Sequence, residues 1–408
     1  MRSSCKLLVV AAAAGAASIA SFDARADGWV GSWGASDVFP VGPDVNYQTL
    51  RTFVRLSVGG PRARIRISNA TGQYSLVIGA AHVAKPAAGG QPGTIDPSTD
   101  HALTFGGVSA VTIAPGAEVV SDPVDIDLPP LSTLAISTFV PRWTGPAVIH
   151  LDGVATTYIS NDADSTAAAT LPSPHTSTSR FFVDEVDVEA AGQGGTVVTL
   201  GDSITDGYHS AVDQNHRWPD RLAERLAARS GAAPVGVVNA GVSGNRILHD
   251  HPEDLFGPSA LARLDRDVLS VPGLRWVVLM EGINDIGHST AGQLQEQDVS
   301  AEQIIAGMKQ IIARVHQRGA KIYGATLTPY EDTIFHGYYT PEGEVKREAV
   351  NAWIRKGDFD AVIDFDAAVR DPDHPTRIRA DYDVGDHLHP NDAGYRAMGD
   401  AVDLKLFE

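Results

Sequence analysis

From Gly195 onward the chain alternates short apolar runs with amphipathic stretches, and this alternation restricts its fold more than any other feature. The runs Thr196–Leu200, Val235–Val238, Trp276–Met280, Ile322–Leu327 and Ala361–Phe365 read as strands. Between them, Trp218–Arg229, Ser259–Leu269, Ala301–Arg318 and Glu344–Lys356 carry apolar residues at helical spacing, and a last helix starts at Asn391. Trp276-Val277-Val278-Leu279-Met280 has no polar face at all, as befits a strand buried on both sides of a sheet. Strand-helix alternation of this length requires crossover connections, so the expected fold is a three-layer α/β domain around a mainly parallel sheet.

The preceding residues have a different texture. Thr52–Val58 and Ala63–Ser68 alternate apolar with polar residues and are joined by Gly59-Gly60-Pro61, the pattern of two half-buried strands with a turn between them. Shorter runs follow at Tyr74–Ile78, Ala110–Ile113, Val124–Leu128, Thr133–Phe139 and Ala147–Leu151, punctuated by Gly, Pro, Asp and Ser. This reads as an all-β sandwich or jelly roll. The Ser-, Thr-, Ala- and Asp-rich stretch at about 160–180 suits an exposed connector or long loop. The expected division is a leader at 1–26, a β-domain at 27–190 and an α/β domain at 191–408.

Arg2 and Lys6 precede an apolar stretch from Leu7 to Ala20, too short to span a bilayer, and Ala24-Arg25-Ala26 follows with small residues where a signal peptidase reads. A cleaved Sec-type leader is the expectation, with the mature protein secreted or periplasmic. Cys5 is the sole cysteine and would leave with it, which excludes disulfides, thiol nucleophiles and Cys-ligated metals. No later stretch is apolar enough for a membrane span. The net charge is −18, and about −20 without the leader, so nucleic acid and anionic surfaces are poor partners and a neutral substrate is more comfortable.

Four short segments fall after these strands or before the last helix: Gly201-Asp202-Ser203-Ile204-Thr205-Asp206-Gly207, Asn239-Ala240-Gly241-Val242-Ser243-Gly244-Asn245, Gly282-Ile283-Asn284-Asp285 and Asp386-His387-Leu388-His389-Pro390-Asn391. In this order they resemble the sequence blocks of the SGNH hydrolases, the GDSL-type esterases, over the whole second domain. The resemblance implies an SGNH/flavodoxin-like sheet and a serine ester hydrolase. Each block then has a chemical task. Ser203 attacks an acyl carbonyl, His389 takes its proton, and Asp386 three residues earlier orients the imidazole. The oxyanion donors are the backbone N–H groups of Ser203 and Gly244 and the Asn284 amide, with Gly241 as a competitor for Gly244. Asp202 is expected to brace the serine turn and Asp206 to cap or line the following helix.

Other readings of these residues exist. A serine in a Gly-Asp-Ser turn is usually turn chemistry, and Asn284-Asp285 is usually a cap. His387 and His389 with Asp373-His374 could form a metal site, and Asp202 with Asp206 could mimic a glycosidase pair. Four ordered blocks favour the hydrolase, with no metal and no cofactor. The whole chain, from Gly31-Ser32-Trp33 through Leu50-Arg51 to the four blocks, is similar to two-domain secreted bacterial GDSL hydrolases. That similarity implies release of a short acyl group, chiefly acetyl, from a carbohydrate, the partner being a small-molecule or polysaccharide ester. A carboxylesterase or lipase on lipid or aryl esters is the second reading, and a non-catalytic glycan-binding protein the third. Trp29, Trp33, Tyr47, Trp143 and Tyr158 could stack on sugars or serve as core. The Tyr330–Tyr339 loop could line either kind of cleft.

Overall fold

A computed structural model of the chain describes residues 28–250, 255–290 and 294–408, apart from 162, 191 and 193. The expected leader lies outside the described residues. Among the described residues, no helix is long and apolar enough to cross a membrane.

The second half contains a five-stranded sheet, all parallel, formed by Gly195–Gly201, Val235–Gly241, Leu274–Met280, Lys321–Ala325 and Ala361–Ile363. Numbering these strands one to five along the chain, their spatial order is 2-1-3-4-5. The order reverses at strand one, and its C-terminal edge is therefore the crevice where open α/β sheets place their ligands. The central strands are buried along their length because helices cover both faces. On one face Ile304, Met308, Ile311 and Val315 of the Ala301–Gln317 helix pack with Val198 and Leu279. On the other, Trp218 and Leu222 pack with Val197, Val278 and Met398.

Helix boundaries follow local chemistry. Ser300 and Gln303 exchange side-chain-to-backbone hydrogen bonds in a capping box at the start of the Ala301–Gln317 helix. The Pro341–Lys356 helix begins three residues before the apolar spacing suggests, because Thr340 caps Gly343 and Pro341 occupies the first turn, where its missing N–H costs nothing. The Ser259–Leu269 segment divides into an α-helix at Ala260–Leu264 and a single π turn at Asp265–Leu269.

The first half is built on two antiparallel sheets, of five and six strands, with three two-stranded ones besides among the described residues; the two large sheets share one core, with Val54, Leu134 and Ile136 from one meeting Ile65, Ile67 and Val186 from the other. This is a β-sandwich. The strands Gln48–Arg55 and Gly60–Asn69, read above as neighbours across a turn, lie in different sheets, so the Gly59–Pro61 region arches between layers. Period-2 patterning reports a buried face but not which strand it pairs with. The Ser160–Ser179 stretch contains the short strand His175–Ser177 and leads into the strand Arg180–Phe181 of the sandwich. The buried Arg51 guanidinium donates to the carbonyls of Thr166, Ala168 and Ala169, and His175–Ser177 pairs with Thr157–Ser160, folding the stretch onto the sandwich.

The sandwich and the α/β sheet meet at Gly31, where side-chain hydrogen bonds flank a backbone-to-backbone contact with Gly236. Gly31 N donates to Thr196 Oγ1 at 3.0 Å and Pro272 O at 3.2 Å, while Ser57 Oγ bonds the backbone of Val237. A Cβ on Gly236 would stand 2.0 Å from Gly31 O. Gly236→Val therefore overpacks a backbone-to-backbone contact, and we expect a loss of about 1–3 kcal/mol, read as a lowered Tm in thermal denaturation; an unchanged Tm would mean that the two halves do not touch there.

Candidate active site

The Gly195–Gly201 strand ends in a tight turn onto the short helix Ser203–Asp206. Asp202 caps it, its Oδ1 accepting the Ile204 N–H at 3.0 Å, which agrees with the bracing role read from the sequence. Ser203 is thereby held at the first helical position on the C-terminal edge of the sheet. Its Oγ lies 2.8 Å from His389 Nε2, and His389 Nδ1 lies 2.7 Å from Asp386 Oδ2. All three side chains are buried.

Asp386 also accepts the backbone N–H groups of Leu388 and His389. Burial alone would raise its pKa. The bond and charge of His389, with these two amides, outweigh burial and bring it down to about 2. A carboxylate that only accepts requires the proton on His389 Nδ1, which leaves Nε2 free to face Ser203.

The other predicted residues converge on the same point. Asn284 starts from the end of the Leu274–Met280 strand, and its amide is oriented from both sides: Nδ2 donates to Asn245 O at 3.0 Å and Oδ1 accepts from Tyr338 Oη–H at 2.6 Å. One Nδ2 hydrogen remains. Gly244 follows the Val235–Gly241 strand with φ +72°, where a Cβ would collide with the Phe256 ring at 2.2 Å. Gly241 is differently used: its N–H donates to the Asn239 side chain at 2.9 Å, and a Cβ there would strike the Asp206 backbone. Three adjacent strands thus deliver Ser203, Gly244 and Asn284 to one crevice.

Aromatic rings enclose that crevice. Phe335 and Tyr208 lie 6.2 Å and 4.8 Å from the His389 ring, and Phe256 stacks on His288. Phe335 comes from the Tyr330–Tyr339 loop, whose Ile334 N–H bonds Asp386 O, so the loop does line the cleft. Among the aromatics of the sandwich, Tyr47 and Trp143 are exposed while Trp29, Trp33 and Tyr158 are half-buried, with Arg64 over Trp29 and Arg180 over Trp33. His387 is exposed and pairs with Asp383. Among the described residues, no three His, Cys, Asp or Glu side chains gather in a group able to hold a metal.

Asp206 differs from the expectation. It neither caps nor lines the next helix. Its Oδ1 meets His150 of the sandwich at 2.9 Å and its Oδ2 accepts the Ser243 N–H. Nothing in the sequence linked His150, over fifty residues away, to this block. Below the serine turn, Asp202, Glu281 and Asp285 are buried close together, with the Arg263 guanidinium near Asp202 and Glu281 and that of Arg246 near Asp285. Burial raises Asp202 to about 7 and Asp285 to about 6, and drives Glu281 well above the usual carboxylate range.

Residues 199–397 match the sequence family described as GDSL-like lipase/acylhydrolase. The chain carries a hydrolase domain of that family, an ester hydrolase family, behind a β-rich N-terminal region. The structure is similar to the aryl esterase of M. smegmatis (18% identity, TM-score 0.40, covering 52% of this chain and all of that one). It is also similar to Est24, a carbohydrate acetylesterase of Sinorhizobium meliloti (18%, 0.39, 52% and 98%). A third similar structure is the acetyl xylan esterase AlAXEase (19%, 0.37, 50% and 96%). No curated protein sequence matches the chain.

The lowered pKa of Asp386 has a pH consequence. Its contribution to stability is fully present above the unfolded value near 4 and is lost as pH falls through about 2. Between pH 5 and 2, wild type should lose about 2 kcal/mol more than Asp386→Asn in urea titrations; equal losses would mean that Asp386 is not held ionised by its neighbours.

Proposed function

We propose that this GDSL-family hydrolase is a serine esterase that removes short acyl groups, chiefly acetyl, from hydroxylated alcohols such as carbohydrates. The observation that carries the reading is the Ser203–His389–Asp386 relay, with contacts of 2.8 Å and 2.7 Å, opposite the Gly244 loop and the oriented Asn284 amide. Ser203 Oγ attacks the ester carbonyl while His389 Nε2 accepts its proton. The oxyanion that forms takes hydrogen bonds from Ser203 N–H, Gly244 N–H and the remaining Asn284 Nδ2–H. Collapse of this intermediate expels the alcohol, which takes the proton from His389, and leaves Ser203 acylated. Water, deprotonated by the same imidazole, then releases the acid.

The preference for short acyl groups is supported by the rings beside the crevice, Phe256 against Gly244 and Phe335 against His389. The polar groups of Tyr208 and His209 near His389 suit a hydroxylated leaving group. The basic start and Ala-x-Ala exit of residues 1–26 support export to the periplasm or beyond, and the mature chain should begin at Asp27 on N-terminal sequencing.

Ser203→Ala should abolish hydrolysis of nitrophenyl acetate, a loss of about 10⁴-fold or more in kcat, with an unchanged circular dichroism spectrum. Survival of activity would end the serine mechanism. Asn284→Ala should cost about 10²–10³ in kcat. Across nitrophenyl esters, kcat/KM should peak at acetate, and acetylated xylan should release acetate. A maximum at long acyl chains would instead identify a lipase.

A further inference from the structure

His150 ends the short strand Ile149–His150 of the sandwich, is fully buried, and takes no part in the relay. Its Nδ1 lies 2.8 Å from Ser36 O and its Nε2 2.9 Å from Asp206 Oδ1. Each ring nitrogen thus faces an oxygen acceptor, a carbonyl on one side and a carboxyl oxygen on the other, the arrangement that suits an imidazolium. Burial opposes that charge, but the charge and hydrogen bond of Asp206 outweigh it and hold the proton more tightly than usual.

The other oxygen of Asp206 accepts both the N–H and the hydroxyl of Ser243, each at 3.2 Å. Two residues past His150, half-buried Asp152 returns from the sandwich to stand beside Ser243. A single segment of the sandwich thus reaches Ser243 through the His150–Asp206 contact and places a second carboxylate next to it. Ser243 immediately precedes Gly244, so its placement sets where the Gly244 N–H points.

We propose that His150 and Asp152 are positioning residues, contributed by the sandwich, that clasp Ser243 and hold the Gly244 N–H in place for the oxyanion. This rests on the serine-esterase reading above. It makes the sandwich a working part of the active site rather than an appended binding module. The clasp is a charge arrangement and so responds to pH. The groups facing the His150 ring are Asp206 and Ser243 from the α/β half, Asp152 on its own segment, Arg180 on the paired strand, and Arg217 with Asp220 at the start of the Trp218–Ala227 helix. Arg217 opposes the imidazolium and Asp206 favours it, with Asp206 dominant. As pH rises the ring keeps its Nε2–H toward the Asp206 carboxylate and loses the one on Nδ1, whose lone pair then faces the Ser36 carbonyl; the charge tying His150 to Asp206 is gone and the clasp loosens.

The test uses His150→Phe, His150→Gln, Asp152→Ala and Ser203→Ala in the full chain on nitrophenyl acetate, with circular dichroism and Tm recorded. His150→Phe should lower kcat about 10- to 100-fold with KM changed less than threefold, because only transition-state contacts are lost. His150→Gln, which keeps a donor toward Asp206, should recover part of kcat and lack the alkaline fall of kcat that the clasp predicts for wild type. Should His150→Phe fail to fold, Asp152→Ala carries the same expectation, a kcat loss at nearly constant KM. Folded His150 and Asp152 variants with wild-type kcat and wild-type pH profiles would overturn the clasp, as would losses that appear only in KM. The serine reading stands or falls separately, on Ser203→Ala.

Discussion

The catalytic edge of the sheet depends on one buried cation. Arg263 has its side chain out of solvent and donates to the carbonyls of Ala240 at 2.7 Å and Gly201 at 3.1 Å, to Asn245 Oδ1 at 2.9 Å, and to Asp267. Those two carbonyls close the strands that deliver Ser203 and the Gly244 loop. A guanidinium has a planar fork of five donors and cannot lose its proton, so it can tie several acceptors at fixed angles where a lysine could not. It is also the nearest counter-charge for Glu281, whose carboxyl oxygens lack hydrogen-bond partners and whose pKa is pushed well up by burial and by Asp202. Removing Arg263 would leave buried carbonyls and carboxyls unpaired at once.

On that base the site is assembled from distant parts. Strand ends one, two and three of the α/β sheet bring Ser203, Gly244 and Asn284 together, and the turn before the last helix brings Asp386 and His389 from nearly two hundred residues away. Tyr338, from the loop that also carries Phe335, sets which way the Asn284 amide faces. The sandwich joins at the backbone contact of Gly31 with Gly236 and again through His150 and Asp152, so the two halves share the same few ångströms around Ser243.

Much of this was legible from residue order. The strand runs were placed to within three residues, because a strand buried on both faces must be continuously apolar and bounded by breakers. The four blocks were legible because chemistry at strand ends needs particular residue types: a glycine where φ is positive, a carboxylate one turn before a histidine. The pairing of Gln48–Arg55 and Gly60–Asn69 with other strands was not legible, since alternation marks a face and not a partner. Nor was the docking of the Ser160–Ser179 stretch, which rests on one buried arginine, Arg51, reading several carbonyls.

The sequence by itself determined the α/β class and the succession of strands and helices along the chain, which follow from short-range rules of periodicity, caps and turns that act within a dozen residues. The candidate relay and the glycine expected beside the oxyanion were legible through the resemblance of four ordered blocks to the SGNH hydrolases. Only the tertiary structure decided what Asp206 bonds to, which way the Asn284 amide points, and that the sandwich reaches the site through His150 and Asp152. Each of these is a contact between polar groups far apart in the chain. Their geometry is set by how two separately packed cores come to rest against each other, and no local pattern encodes it.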